Sequence, residues 1–225
     1  MQAVKIAKTS KLFYKKYAYK IEIRIVKSHL IKNSGVDHTI NLCDQHLAGH
    51  KQIIFKYTNN DDVVKLKEFA KTARKLLESD FKTRAEYNTF NFYLDNKADF
   101  NKIIKKLKPW IRTITQPEND EDLAALLDNK KIVLCNKLPL KKYKYRLFLN
   151  RKMPPHLREK FAVWAENYKD SIRFSRSTDR WINGVGWMYD PYLYVEESKL
   201  LMMLNLFLGE NIIKTEEFVL RNTVK

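Results

Sequence analysis

The sequence predicts an α+β protein made of two tandem ferredoxin-like halves. Each half has the order βαββαβ, in which an antiparallel sheet lies against two helices. Two segments of the chain match each other closely, and strand-like and helix-like patterns follow in the same order in both halves. The 225 residues also suffice for two domains of about 100 residues each.

Two tyrosine-rich segments carry the internal repeat. Residues 12–23 and 138–149 share the pattern KKYxY[KR][IL]x[IL], whose alternation is typical of a half-buried strand. A second match pairs the segments beginning at Tyr93 and Tyr194. The second pair lies closer together in sequence by about 25 residues, which predicts an insertion of that size in the first half, near 28–51.

Each half is assigned six elements, and the first half has one further short strand in its insertion. In the first half we expect strands at 16–27, 81–86, 89–95 and 111–116, helices at 61–79 and 98–108, and a short strand of the insertion at 52–57. In the second half we expect strands at 143–150, 171–175, up to 195 and 212–220, with helices at 155–168 and 198–208. The predicted domains are 1–118 and 137–225, joined by a linker helix and connection at 119–136.

Charge is the strongest indication of function. Lys and Arg number 43 against 26 acidic residues, a net charge of +17. An excess of this size attracts polyanions and speeds encounter with them. Lysines scattered by codon usage would give the same total, whereas nucleic-acid binding predicts that they gather on one face.

The predicted fold leaves one face of each sheet without helices, similar to the RNA-recognition module. Cations on that face would neutralise phosphates, and aromatic rings would stack on bases for about 1–3 kcal/mol each. The alternative is that the tyrosines pack between the two halves. Strand alternation assigns to the open faces Lys16, Lys20, Arg24, Lys82, Arg84 and Tyr93, and in the second half Lys144, Arg146, Arg173, Tyr192 and Tyr194.

Residues 173–189 are rich in arginine and tryptophan. Asn183-Gly184 is a strong signal for a two-residue hairpin turn. A protruding hairpin would enter a groove or clamp a strand, and the alternative is that its tryptophans cover the edge of a core. Its candidate nucleic-acid contacts are Arg173, Arg176, Arg180, Trp181 and Trp187.

The predicted insertion contains potential metal ligands. Cys43, His46 and His50 have a spacing compatible with three zinc ligands, but a structural zinc site has four. We therefore favour a polar loop and expect no metal and no cofactor. His29, His46 and His50 are also candidates for acid–base chemistry, because histidine titrates near neutral pH.

The doubled fold and the basic charge resemble those of the repeat-RNA processing nucleases of CRISPR systems. The resemblance implies metal-independent RNA cleavage, although the glycine-rich loop near the C-terminus of those nucleases has no counterpart here: Gly209 is the only glycine after residue 186. Our first expectation is a non-enzymatic binder of RNA or single-stranded DNA. An endoribonuclease and a structural or assembly protein are the alternatives.

The sequence also bears on location. Cys43 and Cys135 are too few for a disulfide framework, the N-terminus lacks the apolar region of a secretory signal, and the longest apolar stretch is shorter than the roughly 20 residues of a membrane span. We expect a soluble protein in a reducing compartment, cytoplasmic or nucleoid-associated, with a viral or mobile-element origin. The sequence leaves the oligomeric state open.

Overall fold

The computed structural model describes residues 3–79, 81–186 and 188–223. The chain divides into two compact units, Met1–Leu123 and Ala124–Lys225. Each unit has one five-stranded mixed sheet with helices between its strands. Among the described residues, no helix combines the length and the apolar character needed to cross a membrane.

The first unit contains nine regular elements in the described part of the chain. They are strands β1 (Lys5–Lys8), β2 (Tyr19–Arg24), β3 (Lys82–Glu86), β4 (Thr89–Leu94) and β5 (Ile111–Gln116), and helices α1 (His29–Asn33), α2 (Val36–Leu47), α3 (Asn60–Leu77) and α4 (Lys97–Leu107). The strand order is β1-β5-β2-β4-β3. The four strands β5-β2-β4-β3 pair antiparallel in the ferredoxin-like order, and β1 adds a parallel strand beside β5.

The second unit repeats this topology. Helix α5 (Asp120–Asp128) spans the boundary between the units and is followed by strands β6 (Ile132–Cys135), β7 (Tyr145–Leu149), β8 (Ile172–Phe174), β9 (Tyr192–Val195) and β10 (Ile212–Leu220), and by helices α6 (Pro155–Glu166), α7 (Arg176–Ile182) and α8 (Ser198–Leu208). Its strand order is β6-β10-β7-β9-β8, with β6 parallel to β10. The predicted tandem ferredoxin-like fold is confirmed. Each sheet also has one parallel strand at its edge, β1 or β6, that was not predicted.

Side-chain alternation along the central strands separates the two faces of each sheet. In β2, Ile21 and Ile23 are fully buried and lie opposite Phe92 and Phe90 of β4, on the side that the helices cover. Lys20 and Glu22 point to the other side, as the period of two requires. Within Tyr19–Arg24 the burial pattern therefore follows the predicted alternation.

The predicted first strand is longer than the observed one. Tyr14, Lys15 and Lys27 have φ values of 52°, 57° and 61°, which extended backbone does not allow. Lys16 therefore lies in the turn before β2 and not on the strand. The predicted strand at 52–57 is also wrong, because Ile53–Phe55 form a single 3₁₀ turn.

The two units differ mainly in their connections. Residues 25–59 of the first unit contain α1 and α2, where the second unit has only the short connection 150–154. Conversely, residues 175–191 of the second unit, between β8 and β9, contain α7. In the first unit the equivalent strands β3 and β4 are joined by a tight turn. The difference in length between the matched segments thus combines two insertions, one in each unit, with the greater length of α3 compared with α6.

Candidate nucleic-acid interface

The open face of the second sheet carries an aromatic surface. Across β7 and β9, Arg146 lies opposite Tyr194 and Phe148 lies opposite Tyr192. Strand β10 adds Phe218, whose amide donates to the carbonyl of Lys144 just before β7. We call the four rings of this face, Phe148, Tyr192, Tyr194 and Phe218, the aromatic platform.

The rings of the aromatic platform form a continuous row. The ring centroids of Phe148 and Tyr192 are 5.9 Å apart, those of Tyr192 and Tyr194 are 5.5 Å apart, and those of Tyr194 and Phe218 are 6.1 Å apart. All four side chains are half-buried. Each residue is therefore held by its neighbours while part of its surface stays accessible, which is what stacking on nucleic-acid bases requires.

Arg146 lies among these rings and organises them. Its guanidinium carbon is 5.1 Å from the centroid of Phe148, 5.7 Å from that of Tyr192 and 5.4 Å from that of Phe218. Guanidinium groups bind aromatic faces at these distances through the negative ring face. Arg146 thus fixes three of the four rings in one arrangement.

A buried carboxylate holds Arg146 in place. Nε of Arg146 donates to Oε2 of Glu216 at 2.9 Å, Nη2 donates to the same oxygen, and Nζ of Lys214 donates to Oε1 at 2.5 Å. Glu216 is 2% exposed. Its burial is tolerated because two cations neutralise it, and the three side chains together retain one positive charge.

Tyr194 remains uncharged at the centre of the platform. Burial raises the pKa of Tyr194, and the nearby Tyr192 raises it further. The buried ring of Tyr143 lies 6.0 Å from it and covers one side. Tyr194 is therefore a neutral ring beside a fixed guanidinium at every physiological pH.

Cations line the edge of the platform. Lys144 and Arg173 are exposed, and Arg173 lies opposite Tyr194 on the neighbouring strand β8. Within the described ranges neither side chain forms an ion pair. Their charges are available to an anionic ligand lying on the platform.

The open face of the first sheet is covered by aromatic side chains at the position where the open face of the second sheet is accessible. Tyr93, the counterpart of Tyr194, is 7% exposed. The rings of Tyr14, Phe13 and Tyr17 lie 4.9, 5.6 and 6.4 Å from its centroid. Burial, together with a hydrogen bond to Tyr14, raises the pKa of Tyr93 to about 12. The structure therefore places Tyr93 on the predicted face but beneath other aromatic side chains.

Charges on the first sheet are largely paired. Lys20 lies 3.0 Å from Glu22, and Arg84 forms an ion pair with Glu86. Lys82 lies over the ring of Tyr14 at 5.3 Å. Arg24, at the end of β2, belongs to a separate cleft. The predicted basic residues of this half thus do not form one continuous cationic face.

The predicted arginine–tryptophan hairpin is wrong. Ser175 accepts a hydrogen bond from the amide of Thr178 and begins α7, which ends at Ile182. The helix turns Trp181 into the core, where it is 4% exposed and contacts the guanidinium of Arg158 at 5.1 Å. A capped, core-facing helix therefore replaces the turn that Asn183-Gly184 indicated. Arg176 and Arg180 are exposed on α7, Arg173 remains at the platform, and Trp187 lies outside the described residues.

The candidate metal ligands are not brought together. Cys43 is fully buried in α2, and burial raises the pKa of its thiol to about 11. His46 contacts the ring of Phe55 at 5.1 Å, and His50 is exposed beyond the end of the helix. His29 lies elsewhere, 2.8 Å from the carbonyl of Tyr87. Across residues 3–79, 81–186 and 188–223, no group of three or more His, Cys, Asp or Glu could hold a metal ion.

Sequence reasoning missed three participants on one strand. Lys214, Glu216 and Phe218 alternate along β10, and all three point to the open face. The same period of two that identified Arg146 also applies to them. Their alternation in the sequence could have identified them. The role of Glu216, however, depends on its contacts with Arg146 and Lys214, which the sequence does not show.

Comparisons with known proteins identify no relative. No protein-family model, no curated protein and no solved structure matches the chain. The interpretation of the aromatic platform therefore depends on its chemistry. That chemistry comprises four neighbouring rings, one fixed guanidinium and exposed cations at the edge.

Proposed function

We propose that this protein binds single-stranded nucleic acid, RNA or DNA, across the open face of its second sheet. The observation that carries the proposal is the aromatic platform with Lys144 and Arg173 at its edge. Successive bases would stack on the rings, and the phosphates between them would meet the cations. The net charge of +17 would draw the strand to the protein over a longer range.

The platform favours a single strand over a duplex. A ring can stack on a base only when the base face is uncovered, and in a duplex both faces are covered by neighbouring base pairs. The rings lie on a sheet rather than on a narrow element that enters a groove. Duplex nucleic acid would therefore reach only the cations and bind more weakly.

The ion pairs around Glu216 support the proposal by making the platform rigid. Arg146 and Lys214 both contact Glu216, so Phe148, Tyr192 and Phe218 are held before any ligand arrives. A surface organised in advance loses little conformational freedom on binding. We assign Arg146 a positioning role and assign the first contacts with phosphate to Lys144 and Arg173.

Salt dependence tests the proposal. Fluorescence anisotropy with a labelled oligonucleotide of about 10 residues should show binding of the single strand that weakens steeply with salt. Arg173→Ala should lower the slope of log affinity against log salt by about 0.7, the value for one phosphate contact with a single strand. The matched control is Arg151→Ala, which removes an exposed arginine elsewhere in the same unit and should leave the slope unchanged.

Equal affinity for single strand and duplex would contradict the proposal. So would an equal loss of slope in the two arginine variants. The same reactions, incubated with and without EDTA and analysed for strand length, test the nuclease alternative. Cleaved RNA in either tube would show that the protein is more than a binder.

A second candidate function, assembly with other proteins, is favoured by helix α8. Met202 and Leu206 are 61% and 89% exposed, one helical turn apart, and Val163 on α6 is 72% exposed. Apolar side chains that gather on a surface are typical of protein contacts. Light scattering tests this candidate: Leu206→Glu should reduce any association of the chain while leaving nucleic-acid affinity unchanged.

A further inference from the structure

A second cationic site lies in the first unit, away from its sheet face. At the end of the first sheet, where β2 and α4 end and β5 begins, a cleft of about 740 Å³ opens. Clefts that bind small molecules in proteins are about 300–1,000 Å³, so this one has the volume for a whole ligand. We call it the sheet-end cleft.

Four cations and one carboxylate line the sheet-end cleft. The cations are Arg24, Lys65, Lys108 and Arg112, and the carboxylate is that of Asp62. Lys65 lies 3.5 Å from Asp62, which offsets its charge. In the part of the chain that the structure describes, Arg24, Lys108 and Arg112 form no ion pair. Three unpaired positive charges therefore share one concave surface.

Several other cations of the unit are paired. Lys20, Lys67, Arg74 and Arg84 each form an ion pair with a carboxylate nearby. Like charges gathered in a cleft repel one another, and a concave wall concentrates their field. An anion bound among them would relieve that repulsion. The local field thus favours a ligand with more than one negative charge.

The sheet-end cleft also has apolar lining residues. Trp110, Pro109 and Val26 line the same cleft. The indole of Trp110 lies 5.9 Å from the ring of the fully buried Phe69, which anchors it from behind. A ligand in this cleft would meet a fixed, partly exposed aromatic surface beside the three cations Arg24, Lys108 and Arg112.

We propose that the sheet-end cleft binds a nucleoside phosphate, either free or as the phosphorylated end of a strand. Arg24, Lys108 and Arg112 contact the phosphates, because guanidinium and ammonium groups form charge-assisted hydrogen bonds with them. The base lies against Trp110 and Pro109. This site is independent of the aromatic platform and extends beyond the proposed function.

Calorimetric titration of the full chain with ATP, inorganic triphosphate and adenosine tests the proposal. ATP should bind more tightly than inorganic triphosphate or adenosine, because triphosphate contacts only the cations of the cleft and adenosine contacts only its apolar residues. The double variant Lys108→Ala/Arg112→Ala should weaken ATP binding by about tenfold or more. The control is Lys105→Ala/Lys106→Ala, which removes the same charge from exposed positions of α4 and should leave ATP binding unchanged.

Two further measurements define the ligand. A 5′-phosphorylated oligonucleotide that competes with ATP, where its unphosphorylated form does not, would identify a strand end as the occupant. Competition by neither form would identify the free nucleotide. Tyr192→Ala should not alter ATP binding, which separates this site from the platform.

Three results would overturn the proposal. They are no heat of binding with ATP or with the phosphorylated oligonucleotide, equal weakening in the two double variants, and triphosphate binding as tight as ATP binding. All four substituted positions are exposed, and circular dichroism spectra that match the unaltered chain would exclude misfolding as the cause of weakened binding.

Discussion

The two sheets share a strand order but use their open faces differently. Tyr93 on β4 and Tyr194 on β9 occupy equivalent positions in the two units. Over Tyr93 the segment before β2 places the rings of Tyr14 and Phe13, whereas the segment before β7 places the buried Tyr143 on one side of Tyr194, and Tyr194 itself stays half-buried. A duplicated fold therefore does not imply a duplicated site, since a short segment decides whether a face is available.

The charged residues differ in the same way. At the position equivalent to Glu216 on β10, the first sheet has Thr115 on β5, beside Lys20. Lys20 instead pairs with Glu22 of its own strand. In the second sheet one buried carboxylate binds two cations, which leaves Lys144 and Arg173 without carboxylate partners among the described residues. The two faces thus distribute their positive charge differently.

The equivalent outer helices have also diverged. Helix α4 exposes Lys102, Lys105 and Lys106, while α8 exposes Met202 and Leu206. Positive charge is therefore not confined to the sheet faces, contrary to the simplest form of the sequence prediction. In the first unit positive charge is prominent on α4, and in the second unit it lies at the edge of the aromatic platform.

The largest effect that we expect concerns Glu216. Glu216→Ala leaves Arg146 and Lys214 without their buried carboxylate and should destabilise the protein by about 3 kcal/mol. Thr115→Ala, at the equivalent position of the first sheet, should cost less than about 1 kcal/mol. The free energy of unfolding in urea measures both. Equal losses would show that the buried ion pairs do not distinguish the two sheets.

The next effect concerns binding. Tyr192→Ala removes one stacking surface and should weaken binding of a single strand by about 1–3 kcal/mol. Asn91 holds the equivalent position on β4 and is 5% exposed, so Asn91→Ala should leave affinity unchanged. Anisotropy titrations of both variants provide the comparison. A greater loss from the Asn91 variant would assign the interface to the first sheet.

A smaller effect depends on pH. Because Tyr93 has a pKa raised from 10.0 to about 12, its neutral form stabilises the fold fully below pH 10. That contribution should be lost as the pH rises from 10 to about 12. In Tyr93→Phe the loss of stability across this window should be smaller. Chemical denaturation at several pH values measures it, and identical curves for the two proteins would contradict the buried environment assigned to Tyr93.

The fold was predictable from the sequence because its strongest signals are periodic. The alternation of Tyr19, Ile21 and Ile23 with charged residues identified the faces of β2, and its repetition identified the second unit. The parallel strands β1 and β6 were missed because four residues, KIAK or IVLC, are too few to show a period.

The site was less predictable, since it depends on contacts distant in sequence. Nothing local to Tyr93 indicates that Phe13 and Tyr14 cover it. At residues 175–184 two local signals competed, and the Ser175 cap with a core-facing Trp181 prevailed over the Asn-Gly turn. Local pattern therefore identified Lys144 and Arg173 as exposed cations, but it did not indicate that Lys20 and Arg84 are ion-paired or that Tyr93 is covered.

Ultraviolet crosslinking tests the central claim most directly. A labelled single strand is irradiated with the full chain, and the attached peptides are identified by mass spectrometry. Our account predicts crosslinks at Tyr192, Tyr194 or Phe148 and none at Tyr93. Crosslinks confined to the first sheet or to the lysines of α4, or an absence of crosslinks under conditions where the strand is bound, would contradict it.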